Sequence, residues 1–201
     1  MSEATALAAG SEPHPIGLIV NDDLKRSRLT VFFRLLLVIP HLVWLSLWAI
    51  AASLGLLLAW FAALFTGRVP DGLHSFLASF LRYSTRVSAY LYLLADPYPP
   101  ISGAEGGYPI DLQVAPAQAQ SRLSVFFRLL LAIPAMLLTY VFRMVNQIVG
   151  FLGWFYCLGT GRMNEGMRNL SAWLLRYETQ TYAYIFLLTG RYPSMAGAPT
   201  A

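Results

Sequence analysis

Charged residues are scarce in this sequence. Only 12% of the chain is charged and 57% is hydrophobic, whereas soluble domains average about 25% charged and 45–50% apolar residues. A chain of this composition has too few polar groups to cover a surface that faces water. We therefore predict an integral membrane protein.

The side chains that carry chemistry are also scarce. Cys157 is the single cysteine, so no intrachain disulfide can form, and we interpret it as a packing residue. The histidines lack the spacing of metal ligands, and there is no glycine-rich phosphate loop, nucleophile elbow or evident carboxylate pair. The sequence predicts a non-enzymatic protein with no cofactor, metal or catalytic site.

Lysine is nearly absent as well. Lys25 is the only one, so the net charge of +4 comes almost wholly from arginine. These arginines adjoin runs of Phe and Leu, and we therefore expect them to contact anionic lipid head groups rather than nucleic acid.

One segment occurs twice. Ser27–Pro40 (SRLTVFFRLLLVIP) returns as Ser121–Pro134 (SRLSVFFRLLLAIP), and the same offset aligns the chain without a gap from Pro15 to Pro99. The sequence predicts a disordered tail at residues 1–14, repeat 1 at 15–100, a linker at 101–108, repeat 2 at 109–194 and a second tail at 195–201.

Each repeat begins with a short segment, Pro15–Val20 or Pro109–Val114, that has the composition of a strand. If both lie on one side of the membrane, they are expected to pair with each other. An extended loop is the alternative.

Two long helices are predicted in each repeat. His41–Phe65 carries no charge and would be about 37 Å long, enough to cross a bilayer, and Pro40 is expected to bend the chain before it. Leu73–Leu94 is amphipathic and either crosses within a bundle or lies in the interface. We predict an all-α membrane protein with about four long membrane-embedded helices, short extramembrane strands and both repeats in the same orientation.

The distribution of arginines predicts which side of this protein faces the cytoplasm. The strand side would hold Lys25, Arg26, Arg28, Arg34, Arg122, Arg128 and Arg191, and the side of the Thr-Gly-Arg turns would hold Arg68, Arg162 and Arg168. By the positive-inside rule, the strands and both termini are predicted on the cytoplasmic face. The arginines expected at lipid head groups are Arg28, Arg34, Arg122 and Arg128.

Repeat 2 carries polar residues where repeat 1 is apolar or small. Arg143, Asn146 and Gln147 share one helix face, and Glu178 replaces Ser84. We group them with Arg82, Arg86 and Arg176 as an intramembrane polar cluster. Arg143 is predicted to approach Glu178, with Arg176 or Arg82 as other partners for that carboxylate. The cluster has three interpretations: contacts between helices or protomers, a polar turn, or a substrate path.

The motifs Arg28–Pro40, Trp60–Arg68 and Leu81–Pro100 together resemble the DUF4389 family of bacterial membrane proteins, and both halves match. The family is of unknown function, so the resemblance implies a membrane location and no catalytic residues. Departures at Asn164-Glu165 and at Arg143 distinguish the second half.

Two functions are compatible with these features. The first is a non-enzymatic accessory or scaffold subunit of a membrane complex, with lipid contacts and a protein partner or a second copy, in the bacterial inner membrane as a multi-pass protein. The alternative is a small transporter or channel component for an anionic solute or lipid, with its site at the repeat interface.

Overall fold

The computed structural model describes residues 14–196, so the predicted tails fall almost entirely outside the described residues. The described chain is mostly helical, as predicted. Its elements are β1 (Ile16–Val20), α1 (Arg28–Leu37), α2 (Ile39–Thr66), α3 (Asp71–Leu91), β2 (Ile110–Val114), α4 (Arg122–Phe126), α5 (Arg128–Thr160) and α6 (Glu165–Ile185).

The two strands form one antiparallel pair, which confirms the predicted pairing. Ile16 lies opposite Val114, and Leu18 lies opposite Leu112. Leu18 and Leu112 occupy the same position in the two repeats. A pseudo-twofold axis therefore passes through the middle of this strand pair and relates repeat 1 to repeat 2.

Each repeat's long apolar segment is interrupted near its start. In repeat 1 Val38 separates α1 from α2, and Pro40 is the second residue of α2. A proline fits there because a first-turn N–H has no partner within the helix. In repeat 2 the break comes earlier, at Phe127, and Pro134 lies inside α5.

The four long helices run alternately in opposite directions, in the order α2, α3, α6, α5. His41 near the start of α2 contacts Tyr83 in the second half of α3. Between α3 and α6, the rings of Phe80 and Phe186 lie 5.9 Å apart and His74 meets the carbonyl of Leu188. Residues early in α3 thus meet the end of α6, so the pseudo-twofold axis is perpendicular to the helices.

The repeats exchange contacts at both ends of the bundle. Trp60 of α2 donates its Nε1–H to the carbonyl of Val125, and Trp154 of α5 donates to the carbonyl of Val31. The start of each repeat's apolar segment therefore lies beside the end of the other repeat's long helix. The main hydrophobic core is therefore built from side chains of both repeats.

This exchange corrects the predicted sidedness. Lys25 forms a β-bridge with Arg162, and Arg68 forms one with Ala119. The strand-side arginines and the Thr-Gly-Arg turns are neighbours, so the hydrocarbon core of about 30 Å cannot separate them. The sequence pattern could not reveal this, because it treats each repeat as a self-contained unit.

The number of membrane-length helices is also corrected, from four to two. Among residues 14–196, the segments long and apolar enough are Arg28–Thr66 and Arg128–Thr160, with mean hydropathy 2.1 and 1.7. Only 17% and 22% of these apolar windows are buried. Helices α3 and α6 carry too many polar side chains, and they form the buried centre of the bundle.

Candidate membrane interface

A continuous apolar surface covers the outer side of the long helices. On α2, one face carries exposed apolar residues at a helical spacing. They are 58–72% exposed: Val43, Leu47, Leu54, Leu58 and Phe65. The surface extends along α1 and its repeat counterpart, with these exposed residues: Leu29, Phe32, Leu35, Leu36, Leu123, Phe126, Leu129 and Leu130. It continues along α5 through Leu137, Ile148, Phe151 and Phe155. A patch of this extent indicates contact with lipid or with another protein.

Arg34 and Arg128, predicted at lipid head groups, are buried with 1% exposure each. The Arg34 guanidinium donates to the carbonyls of Tyr90 and Ala95 and to the Asp96 carboxylate, and it lies 4.2 Å from the centre of the Tyr90 ring. It thereby holds the end of α3 against α1.

Arg128 makes the corresponding contacts in repeat 2. It donates to the carbonyl of Thr189 and to Gln120, and it lies 4.1 Å from the centre of the Tyr184 ring. Gly190 stands where repeat 1 has Asp96, so Gln120 serves in place of a carboxylate. Both arginines hold their own repeat together.

The other two predicted lipid arginines differ from this pair. Arg28 and Arg122 are both exposed. Each lies beside the Thr-Gly-Arg turn of the other repeat, Arg28 near Gly161 and Arg122 near Gly67. Arg28 donates one bond, to the carbonyl of Gly159. Leu29 and Leu123 beside them are both 69% exposed, so the two guanidinium groups lie at the margin of the apolar surface. Their contact with lipid phosphate stays a prediction.

Arg143 and Glu178 form an ion pair, as predicted. The Arg143 Nε donates to Glu178 at 3.1 Å, and the guanidinium also donates to the Tyr182 hydroxyl at 3.1 Å. The pair joins α5 to α6. Because α5 is continuous from Arg128 to Thr160, the interpretation of these residues as a polar turn is wrong.

Asn146 and Gln147 do not join this pair. Asn146 is fully buried, and its side-chain amide has no hydrogen-bond partner within residues 14–196. Gln147 is exposed and lines a cavity of about 360 Å³ with Arg34 and Trp154. Their shared helix face is therefore divided between the core and the outer surface.

Arg82 and Arg86 lie on the opposite side of the bundle, beneath the segment that links the repeats. Arg82 donates to the carbonyls of Gly103 and Leu112 and pairs with Glu105 at 2.6 Å. Arg86 pairs with Asp111 at 2.8 Å.

Arg176, the repeat counterpart of Arg82, donates to the carbonyls of Ser194, Met195 and Ala196. These three arginines thus fasten extended segments to the helices. The predicted polar cluster consists of separate sites rather than one.

Several acidic partners were missed by sequence reasoning. Asp22 binds Arg26 through both carboxylate oxygens, at 2.9 and 2.6 Å, and the two are almost fully buried. No sequence signal indicated this pair, because residues 22–26 are not helical and a spacing of four residues brings side chains together only on a helix. Asp96 and Asp111 gave no signal either, because they lie 62 and 25 residues away in sequence from the arginines that they bind.

The residues typical of catalysis and metal binding are dispersed. Within residues 14–196, no three His, Cys, Asp or Glu side chains are grouped so as to hold a metal ion. The thiol of Cys157 is buried beside the Met163 sulfur, 3.7 Å away, in agreement with a packing role.

Comparison with known proteins places the chain in one family. No curated protein and no solved structure matches it. The model of a domain of unknown function, DUF4389, matches residues 28–102 and again residues 122–196. The two matches together make up more than half of the sequence, and the chain therefore belongs to the DUF4389 family, with two tandem copies of its domain.

Proposed function

We propose that this protein is a non-enzymatic membrane protein that acts as an accessory or scaffold subunit. The observation that supports the proposal is the apolar surface of α1, α2, α4 and α5. Full burial of a Leu or Phe side chain contributes about 1.5–3 kcal/mol at about 25 cal/mol per Å². Each of these side chains is partly exposed and would gain a corresponding fraction of that value in lipid. Lipid is the solvent that accommodates so many of them at once.

The basic margin of this surface supports a contact with anionic lipid. Arg28 and Arg122 lie beside exposed leucines at opposite ends of the bundle. A basic residue near an anionic membrane surface contributes about 1 kcal/mol. Arg68, also exposed, is paired with Asp71 at 2.7 Å and brings little net charge.

Cell fractionation tests membrane residence. The protein is expected in the membrane fraction after washes with high salt and alkaline carbonate, and detergent should be needed to release it. Recovery from the aqueous fraction without detergent would refute the proposal.

The lipid contact has its own test with fluorescent phosphatidylglycerol in mixed micelles. The double variant Arg28→Gln, Arg122→Gln should bind this lipid about 30-fold more weakly, since two lost contacts amount to roughly 2 kcal/mol. Arg68→Gln is the matched control and should change binding little. Equal losses in both variants would contradict a specific role for Arg28 and Arg122.

The scaffold role is tested by crosslinking in the native membrane, followed by mass spectrometry. A reproducible protein partner or a second copy of the chain is expected. A residence in the bacterial inner membrane belongs to the same proposal.

The alternative function, transport of an anionic solute or lipid, would use the cavity of about 200 Å³ between α3 and α6, which Arg143 and Glu178 line. Its predicted arginines Arg82, Arg86 and Arg176 are bound to other segments instead. Loss of anion flux on Glu178→Gln in reconstituted vesicles would favour this alternative.

A further inference from the structure

We propose that the helix bundle lies parallel to the membrane plane and inserts into one leaflet, with the strand pair facing water. The inference rests on the membrane residence proposed above and adds its geometry. It differs from a multi-pass arrangement, although both long segments are apolar enough to cross a bilayer by length and composition.

The length of these segments is the first argument. Arg28–Thr66 contains 39 residues, and a straight helix of that size would be about 58 Å long, nearly twice the roughly 30 Å hydrocarbon core. The break at Val38 shortens this span, but α2 alone contains 28 residues, about 42 Å, and the continuous α5 contains 33, about 50 Å, so both helices exceed that core. A segment lying in the plane has no such length limit.

The polar groups at the middle of the bundle are the second argument. Arg82 is central in α3, and it holds Glu105, whose side chain is 76% exposed. If the helices crossed the membrane upright, Glu105 would lie near the bilayer centre. A charge there costs about 2.5–3.5 kcal/mol even on the mildest scale.

Both ends of the described chain lie at the same level. Gln180, in the last third of α6, donates to the carbonyl of Ile16 and accepts a bond from the backbone N–H of Ser194. The strand that pairs with β1 is itself held at the centre of α3, where Arg82 donates to the carbonyl of Leu112. An upright bundle would place these extended segments at mid-membrane depth. Irregular backbone exposed to lipid does not occur at that depth, because its polar groups would lack partners.

The pseudo-twofold symmetry is the third argument. The axis passes between Leu18 and Leu112 and is perpendicular to the long helices. With the bundle in the plane, this axis coincides with the membrane normal, and both repeats insert in the same orientation. The strand pair and the Glu105 segment then lie on the water side, and the outer faces of α2 and α5 lie on the lipid side.

The exposed arginines agree with this placement. Arg28, Arg122 and Arg162 are exposed at the two ends of the bundle. In an in-plane bundle both ends lie at head-group level, where guanidinium groups reach phosphates of one leaflet.

Depth measurements along α2 test the inference. Single cysteines replace Val43, Leu54 and Phe65, which share the exposed face of α2 at intervals of 11 residues, or about 16 Å. The background is Cys157→Ala, because Ala63 occupies the corresponding position in repeat 1. Each cysteine carries a fluorophore that is quenched by lipids labelled at known depths.

An in-plane bundle predicts similar depths for the three probes, within about 5 Å of one another and inside one leaflet. An upright bundle would place the Leu54 probe deeper than the other two by about 16 Å, near the bilayer centre, and would refute the inference. Probes at Leu137 and Ile148 of α5 should match those at Val43 and Leu54.

Sidedness gives a second, independent test. Lys25→Cys and Arg68→Cys mark opposite ends of the bundle, and Glu105→Cys marks the strand side. In right-side-out and inverted vesicles, a membrane-impermeant maleimide should label all three from the same side. Labelling of Lys25→Cys and Arg68→Cys from opposite sides would refute in-plane insertion and leave membrane residence standing, whereas recovery of the protein in the aqueous fraction would refute both.

Discussion

The ion pair between Arg143 and Glu178 gives the sharpest test of the packing, because the two repeats supply a natural reference. Repeat 1 has Ala49 and Ser84 at the corresponding positions. The substitutions Arg143→Ala and Glu178→Ser therefore convert repeat 2 to an arrangement that the fold already contains. Each single variant leaves one charge without its partner, and the double variant leaves none.

The two single variants should lose different amounts of unfolding free energy. Arg143→Ala leaves the Glu178 carboxylate without its cation, with 7% of that side chain exposed, so we expect a loss of about 3 kcal/mol in unfolding free energy. Glu178→Ser leaves Arg143, which is 40% exposed and retains its bond to Tyr182, so about 1–2 kcal/mol is expected. The double variant should lose less than the Arg143→Ala variant.

The measurement is unfolding in mixed micelles by titration with a denaturing detergent, with all four proteins in one lipid composition. The coupling energy from the double-mutant cycle should be about 2 kcal/mol in favour of the pair. Additive losses would refute the reasoning, because they would show that the two side chains do not stabilise each other.

Two further predictions concern backbone packing and pH. In Gly103→Ala the new Cβ would lie 2.2 Å from the backbone oxygen of Ser79, so a loss of about 1–3 kcal/mol is expected by the same titration. Gly72→Ala, which meets nothing within 4 Å, is the control and should lose none. Burial lowers the pKa of His74 in the folded state, although its bond to the Leu188 carbonyl opposes the shift. Stability should therefore be complete above about pH 6.5, the unfolded value, and fall below it. His74→Gln should flatten this dependence in thermal unfolding measured against pH, and an unchanged slope would contradict it.

Several features followed from the sequence because they depend on local pattern. The repeat, the strands and the long helices were recognisable from residue order, and the bounds of α2 and α3 moved by only one to three positions, whereas the break in repeat 2 moved from Pro134 to Phe127. The approach of Arg143 to Glu178 also followed, since a charge in an apolar setting requires a partner. These inferences need only residue order, the comparison of one repeat with the other and the apolar medium around the charges.

The sequence did not reveal which arginines are buried and which are exposed. Arg34 and Arg28 look alike in sequence, six residues apart in an apolar run. The structure buries Arg34 against Tyr90 and leaves Arg28 exposed. Their difference depends on which side of α1 meets the end of α3, and no local pattern encodes that.

By itself, the sequence determined that the chain is a doubled, apolar, helical module with arginine as its main charge. Tertiary structure alone decided how the two copies combine, since Trp60 and Trp154 each bond to the other repeat. As a result, at each end of the bundle the arginines that precede one repeat's apolar segment lie beside the Thr-Gly-Arg turn of the other repeat. These helix contacts arise from the geometry of the whole folded pair, so, unlike the pairing of the two short strands, they could not be predicted by aligning one copy on the other.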